Sequence, residues 1–121
     1  MSKHFTVKEL SCHCGCGYRI TDPDLIDKID RIRDIVGQEL IVSSPARCKA
    51  YNALIGGAPD SAHVRAKAID FRCYDSNLRY KIVGAAYQVG IRRIEWGTKT
   101  WVHIDVGSES DGYAQDRLFN P

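Results

Sequence analysis

Three stretches of the chain carry apolar spacing or glycine stops that predict helices. The clearest has apolar residues at helical spacing before Gly37, namely Leu25, Ile29, Ile32 and Ile35. Asp22 supplies an N-cap and Pro23 takes the first helical position, so the pattern predicts an amphipathic helix over 23–36. Two more helices are predicted, over 46–55 before Gly56-Gly57 and over about 76–89 before Gly90.

Short apolar or alternating stretches between these helices predict strands. They are expected at 40–43, 67–72, 91–95 and 100–106. Residues 1–20 are irregular and rich in Cys and Gly, and 107–121 form a polar tail with a turn at Asp111-Gly112. Separated helices and strands predict a single α+β domain over 1–121, with a small antiparallel sheet and helices packed on one side.

The last predicted strand has two chemically different faces. Period two places Trp101, His103 and Asp105 on one face, whereas Val102 and Ile104 lie on the other. Such a strand displays its polar groups in a cleft or to solvent. Taken alone, His103 fits a surface histidine as well as a functional one.

The bulk properties exclude several classes of protein. The chain has 121 residues and a formal net charge of only +2, which demands neither a nucleic acid nor an anionic membrane. No apolar stretch fits a signal peptide or a membrane span, so we expect synthesis in the cytoplasm and no membrane insertion. We also expect a monomer. Five cysteines are an odd number, which argues against a fully paired disulfide framework.

Four sequence blocks resemble the zinc D-alanyl-D-alanine carboxypeptidase family, the LAS metallopeptidases. In the first block, Ser61, His63, Ala68 and Asp70 match a Ser-x-His-x-x-Gly-x-Ala-x-Asp signature, and Ala66 replaces its glycine. The other blocks lie at 101–106, at 44–52 and at 5–17, the last resembling small phage-encoded members. Relatives of this family include phage endolysin peptidases and the Hedgehog signalling domain, whose fold the resemblance therefore implies.

The resemblance implies a catalytic Zn²⁺ held by His63, Asp70 and His103. Two imidazoles and one carboxylate suit zinc, and a fourth position stays open for water. Arg47 then stabilises the oxyanion or clamps a substrate carboxylate, although a surface salt bridge is its alternative role. The predicted substrate-binding residues are Arg47, Ser61 and Trp101; Ser61 also supports its loop, and core packing is equally open for Trp101.

The general base is less clear. Many relatives place an acid or a histidine a few residues before the third ligand, but residues 98–102 contain neither. Glu95 is the nearest upstream carboxylate, and a turn at Gly97 would return it to the cleft. Asp105 is the other candidate, with three roles open: base, a group that orients an imidazole, or neither.

The cysteines leave a second question. Cys12, Cys14 and Cys16 lie close together in sequence, and Cys48 follows Arg47. A second, structural zinc bound by three or four of these, one disulfide, and reduced thiols are the open alternatives. Cys73, after a predicted strand, is expected to be buried.

The resemblance implies zinc-dependent hydrolysis of an amide bond in the peptide stem of peptidoglycan. The bond is either D-Ala-D-Ala or L-Ala-D-Glu, and a phage or prophage lysis role, in which the protein acts on the wall after release, agrees with the lack of a signal peptide. One alternative is a weak or inactive zinc-binding module of the same fold that binds cell wall or a protein partner. Another is a zinc adaptor acting through residues 12–17.

Overall fold

A computed structural model of the chain describes residues 2–97 and 100–119, which form three α-helices and five strands. The helices are α1 (Pro23–Val36), α2 (Lys49–Leu54) and α3 (Ser76–Gln88). The strands are β1 (Val42–Ser44), β2 (Ala68–Arg72), β3 (Arg93–Glu95), β4 (Trp101–Asp105) and β5 (Arg117–Phe119). The predicted α+β class is confirmed. Among the described residues, no helix combines the length and apolar character that crossing a bilayer requires.

The five strands form one sheet in the order β1-β2-β4-β3-β5. The first three pairings in this order are antiparallel, and β5 runs parallel to β3 at the sheet edge. The sequence pattern did not predict β5, which lies in the expected polar tail. Two of its three residues are exposed, so burial imposes no hydrophobic alternation there.

One face of the sheet is apolar and carries the core. Its buried side chains are Ile69, Phe71, Ile94, Val102 and Ile104, which join α1 and α3 in one hydrophobic cluster. Each such side chain contributes roughly 1.5–3 kcal/mol when it leaves water. This burial holds α1 and α3 on one face and leaves the opposite face for polar groups.

Helix α1 begins and ends as predicted, but its buried stripe is shifted. Asp22 accepts hydrogen bonds from the backbone N–H groups of Asp24 and Leu25, and Gly37 ends the helix. Ile26 is buried, whereas Ile35, expected on the apolar face, is 47% exposed. Val36 packs against the core instead, because it lies closer to the stripe that Ile29 and Ile32 define.

The tight approach at Gly97 gives a test of the β3–β4 connection. Gly97 has φ +86°, and a Cβ built there would lie 1.7 Å from the Trp101 carbonyl oxygen. We expect Gly97→Ala to lower the free energy of unfolding by about 2 kcal/mol or more, as measured by urea denaturation.

Gly84→Ala is the matched control, since Gly84 lies within α3 and a Cβ there would meet nothing within 4 Å. This control should leave stability unchanged or raise it by up to about 1 kcal/mol. Equal effects of the two substitutions would contradict the close approach at Gly97.

Candidate metal centre

Three polar side chains converge on the face of the sheet opposite the core. Asp70 on β2 and His103 on β4 are direct cross-strand partners, and His63 comes from the turn before β2. The Asp70 Oδ1 atom lies 2.8 Å from His103 Nδ1 and 3.2 Å from His63 Nε2. The two imidazole nitrogens are themselves 3.2 Å apart. The structure therefore brings the three predicted ligands, hereafter the His-Asp-His triad, to one point.

Two backbone contacts, one from Pro45 and one from Ala66, fix the position of His63. His63 Nδ1 lies 2.8 Å from the Pro45 carbonyl oxygen, which only accepts hydrogen bonds, so Nδ1 carries the proton. Nε2 then presents its lone pair to the triad. Ala66 has φ +57°, and its N–H donates to the His63 carbonyl, closing the turn. This left-handed conformation explains why the related signature has glycine at that position.

Hydrogen bonds at both ring nitrogens orient His103. Its Nδ1 faces Asp70, and its Nε2 lies 2.7 Å from Asp105 Oδ2. Burial lowers the pKa of His103, but the bonds to Asp105 and Asp70 outweigh it and raise that pKa to about 9. Burial raises the pKa of Asp70, but the hydrogen bond from His103 opposes that effect, and the pKa lies well below its usual range. Both shifts have the same cause, the hydrogen bonds that join His103 to the two carboxylates.

The donor set fits a zinc ion. With Zn–N and Zn–O bonds of about 2.0–2.1 Å, tetrahedral ligand atoms lie about 3.3 Å apart, close to the spacing of the triad. The ligand atoms are two imidazole nitrogens and a carboxylate oxygen, a group able to hold a metal ion. The His63 side chain is 2% exposed, and those of Asp70 and His103 are each 14% exposed. The site is therefore open to solvent next to Asp70 and His103, the two ligands on the sheet, and closed next to His63.

Both oxygens of the Asp105 carboxylate are engaged within the protein. Oδ2 contacts His103, while Oδ1 accepts from Arg93 Nε at 2.7 Å and from the Gly107 backbone N–H at 2.9 Å. Burial raises the pKa of Asp105, but the His103 hydrogen bond and the nearby charges outweigh it and lower that pKa. Of the three roles left open by the sequence, this arrangement favours orientation of the His103 ring.

Glu95 lies beside the triad. It pairs with His103 across β3 and β4, so both side chains project from the same face of the sheet. Burial is the largest influence on Glu95 and raises its pKa. Residues Thr98 and Lys99, part of the stretch in which relatives carry an acid, lie outside the described residues.

Arg47 is half-buried next to the triad and held by two side chains. Its Nε donates to Ser44 Oγ at 3.1 Å, and an Nη donates to Asn52 Oδ1 at 2.8 Å. Burial lowers the pKa of Arg47, and the charge of Asp70 opposes that effect, which places the guanidinium within the field of the site. A Cβ at Gly57 would lie 2.1 Å from Asn52 Oδ1 and 2.8 Å from an Arg47 Nη, so a larger residue there would displace these two side chains.

The other predicted substrate-binding residues, Ser61 and Trp101, come from the turn that carries His63 and from β4. Ser61 Oγ accepts from the His63 backbone N–H at 3.2 Å, and Ser61 lines a groove of about 680 Å³. That groove also contains Lys49, Arg65 and Lys67. Trp101 is half-buried on the same face of β4 as His103, and its carbonyl accepts from Arg79.

The four cysteines considered as ligands of a second metal form a group separate from the triad. All are free thiols, and the sulfur atoms of Cys12, Cys14, Cys16 and Cys48 lie within 4.8 Å of one another. Cys73 is buried, as expected, and lies outside this group.

Three positioning groups were not identified from the sequence. The sequence contains no signal for the Pro45 carbonyl, which contacts the His63 ring, or for Asn52, which accepts from Arg47. Both contacts depend on how the chain turns. Arg93 did have a sequence signal. It lies two positions before Glu95 on the predicted strand 91–95, so both side chains belong to the same, polar face.

Comparison with known protein families places the chain in one of them. A family model described as Peptidase M15 matches residues 3–105, which include the triad, Arg47, Glu95 and the four cysteines. No curated protein and no solved structure matches the chain.

The buried ion pair behind His103 yields a stability test. We expect Asp105→Asn to lower the free energy of unfolding by about 3 kcal/mol, because it leaves Arg93 with its charge uncompensated. The Asp105 side chain is 1% exposed and that of Arg93 is 13% exposed. Urea denaturation with a chelator present would measure this effect without any contribution from bound metal.

Asp116→Asn is the matched control. Asp116 makes an ion pair of the same 2.7 Å length with Arg92, but the two side chains are 70% and 55% exposed. Loss of such an exposed pair should cost less than about 1 kcal/mol. A loss at Asp105 no larger than that of the control would contradict a role in holding the site.

Proposed function

Because this chain belongs to the peptidase M15 family, we propose that it is a zinc-dependent peptidase that hydrolyses an amide bond in the peptide stem of peptidoglycan. The observation that carries the proposal is the convergence of the His-Asp-His triad beside a half-buried carboxylate and a half-buried guanidinium. In this proposal His63 Nε2, Asp70 Oδ1 and His103 Nδ1 are the ligand atoms. Zinc, when bound, supplies a Lewis acid that polarises the scissile carbonyl and acidifies water.

Glu95 is our candidate for the general base. Its carboxylate projects from the same face as His103, one strand away, on the face where Asp70 and His103 are partly exposed. The raised pKa keeps the group a better proton acceptor than an exposed glutamate. Glu95 accepts a proton from the attacking water and then donates it to the leaving amine nitrogen. Asp105 is not assigned this step, since both its oxygens already accept hydrogen bonds.

Arg47 is our candidate for binding the negative charge of the substrate. Its planar guanidinium is held by Ser44 and Asn52, so little side-chain entropy is lost when it engages a carboxylate or an oxyanion. His63 and Arg47 are also linked, because the Arg47 backbone N–H donates to the His63 carbonyl at 3.0 Å. This link fixes the distance between the metal ligand and the anion-binding group.

The groove beside Ser61 is our candidate for the rest of the stem peptide. Three cationic side chains line it with Asp60 and Asp111, and peptidoglycan stems carry free carboxylates that such cations would attract. Both predicted bonds, D-Ala-D-Ala and L-Ala-D-Glu, place a carboxylate near the scissile amide. The phage or prophage lysis role stays a prediction.

Metal removal tests the activity directly. Purified peptidoglycan digested with the protein should release new muropeptides, and mass spectrometry of the products identifies the bond cut. Chelator should stop the release and added Zn²⁺ should restore it. The His63→Ala variant should lose one equivalent of zinc per chain and all detectable hydrolysis. Zinc bound at the triad with no product from either candidate bond would instead support the alternative, a module that binds without turnover.

Glu95→Gln tests the general base. We expect kcat to fall by about 10²–10⁴-fold with zinc content unchanged, because the amide cannot accept the proton of the attacking water. Glu39→Gln is the control, since Glu39 is exposed and lies outside the site. A Glu95→Gln variant with wild-type kcat would remove Glu95 from the mechanism while leaving the metal assignment intact.

A further inference from the structure

A second cluster of metal-ligating side chains lies outside the His-Asp-His triad. Its members, hereafter the cysteine tetrad, are Cys12, Cys14, Cys16 and Cys48. Three come from the irregular N-terminal segment, and the fourth lies 36 positions beyond the first, at the start of α2. Chain connectivity alone does not bring them together, so the fold itself gathers four thiols at one place.

The spacing of the sulfur atoms is that of a metal–thiolate centre. The Cys12 sulfur lies 3.5 Å from that of Cys14 and 3.9 Å from that of Cys48, and the Cys14–Cys48 distance is 3.6 Å. A disulfide needs about 2.05 Å, and all of these cysteines are free. Four sulfurs around zinc at about 2.3 Å lie about 3.8 Å apart, which agrees with the distances among Cys12, Cys14 and Cys48. The Cys16 sulfur lies within 4.8 Å of the other three.

Backbone N–H groups point at three of the sulfurs. The Cys48 N–H donates to the Cys12 sulfur at 3.5 Å, and the Tyr51 and Tyr18 N–H groups donate to the Cys48 and Cys16 sulfurs at 3.4 Å each. Such donors stabilise negative charge on sulfur, which is the form that binds metal. They give the cluster the hydrogen-bonded shell expected around coordinated thiolates.

The N-terminal loop is shaped to carry three of these ligands. Gly15 and Gly17 have φ +84° and +91°, a left-handed conformation that lets the chain reverse twice within a few residues. The Cys12 N–H donates to the Tyr18 carbonyl at 2.7 Å and closes the loop. A Cβ at either glycine would meet nothing within 4 Å, so conformation and not space demands glycine at these positions.

We propose that the cysteine tetrad binds one structural Zn²⁺, a metal site additional to the one at the triad. Four protein ligands close the coordination sphere and leave no position for water, so this site has no hydrolytic role. Soft thiolate ligands favour zinc over magnesium or calcium. Binding converts four thiols to thiolates and releases their protons to solvent.

The tetrad also connects the N-terminal segment to the loops that carry Arg47 and His63. Cys48 directly follows Arg47, and the Tyr18 hydroxyl donates to the Val64 carbonyl next to His63 at 2.6 Å. The bound metal therefore ties the N-terminal segment to the two loops that position Arg47 and His63. We assign the tetrad a positioning role, exerted through the backbone of these loops.

Zinc content and ligand-specific spectra test this site. Wild-type protein purified with zinc should contain two equivalents per chain by mass spectrometry of the metal, and the Cys14→Ser/Cys16→Ser variant should contain one. His63→Ala should also contain one, but from the other site. Cobalt(II) replacing zinc should give thiolate-to-cobalt charge-transfer absorption in wild type and His63→Ala, and none in the cysteine variant. Cys73→Ala is the control for loss of a thiol and should keep two equivalents.

A measurement on wild-type protein covers the case in which the cysteine variant does not fold. Titration with a mercurial thiol reagent should release one equivalent of zinc as four thiols react, while the zinc at the triad stays bound. The proposal is overturned if wild-type protein holds one zinc equivalent that His63→Ala abolishes. It is also overturned if peptide mapping finds a disulfide within the tetrad of the zinc-loaded protein.

Discussion

The pairing of β4 with β2 on one side and with β3 on the other is the constraint on which the rest of the structure depends. It places Asp70, His103 and Glu95 in one row across three strands. The same register places Ile69, Ile104 and Ile94 in a buried row on the opposite face. A slip by one residue would exchange the faces of β4, burying His103 and exposing Ile104. Assembly of the core and assembly of the site are therefore a single event.

Buried electrostatics extend this constraint beyond the metal ligands. Asp105 connects His103 to Arg93, and the Arg93 guanidinium also donates to the Ala114 carbonyl in the segment leading to β5. An ion pair this deeply buried contributes little net stability compared with apolar residues, but loss of one partner is costly. The residues that orient His103 thus also anchor the C-terminal segment, although that segment contributes no ligand to the triad.

The sequence predicted the helices and four of the strands to within a few residues, because apolar spacing, caps and glycine stops carry local information. Helix α1 is the best case, with Asp22, Pro23 and Gly37 marking both ends. Strand β5 was missed because it is only three residues long, two of them are exposed, and its pairing partner β3 is distant in sequence. Among site residues, the alternation in β4 separated His103 from the core, but the direct pairing of Glu95 with His103 needed the register. Contacts such as Pro45 with His63 depend on turn geometry, which no residue pattern encodes.

The unequal exposure of the triad has a consequence for how the metal enters and leaves. His63 is enclosed by protein, whereas Asp70 and His103 reach solvent from the sheet side, where Glu95 also lies. An ion and a peptide must then use the same opening. A bound substrate would stand between the metal and the solvent, so exchange with external chelators would slow during turnover. A bound substrate would protect the zinc ion from chelators, and the substrate-free protein would lose its zinc most easily.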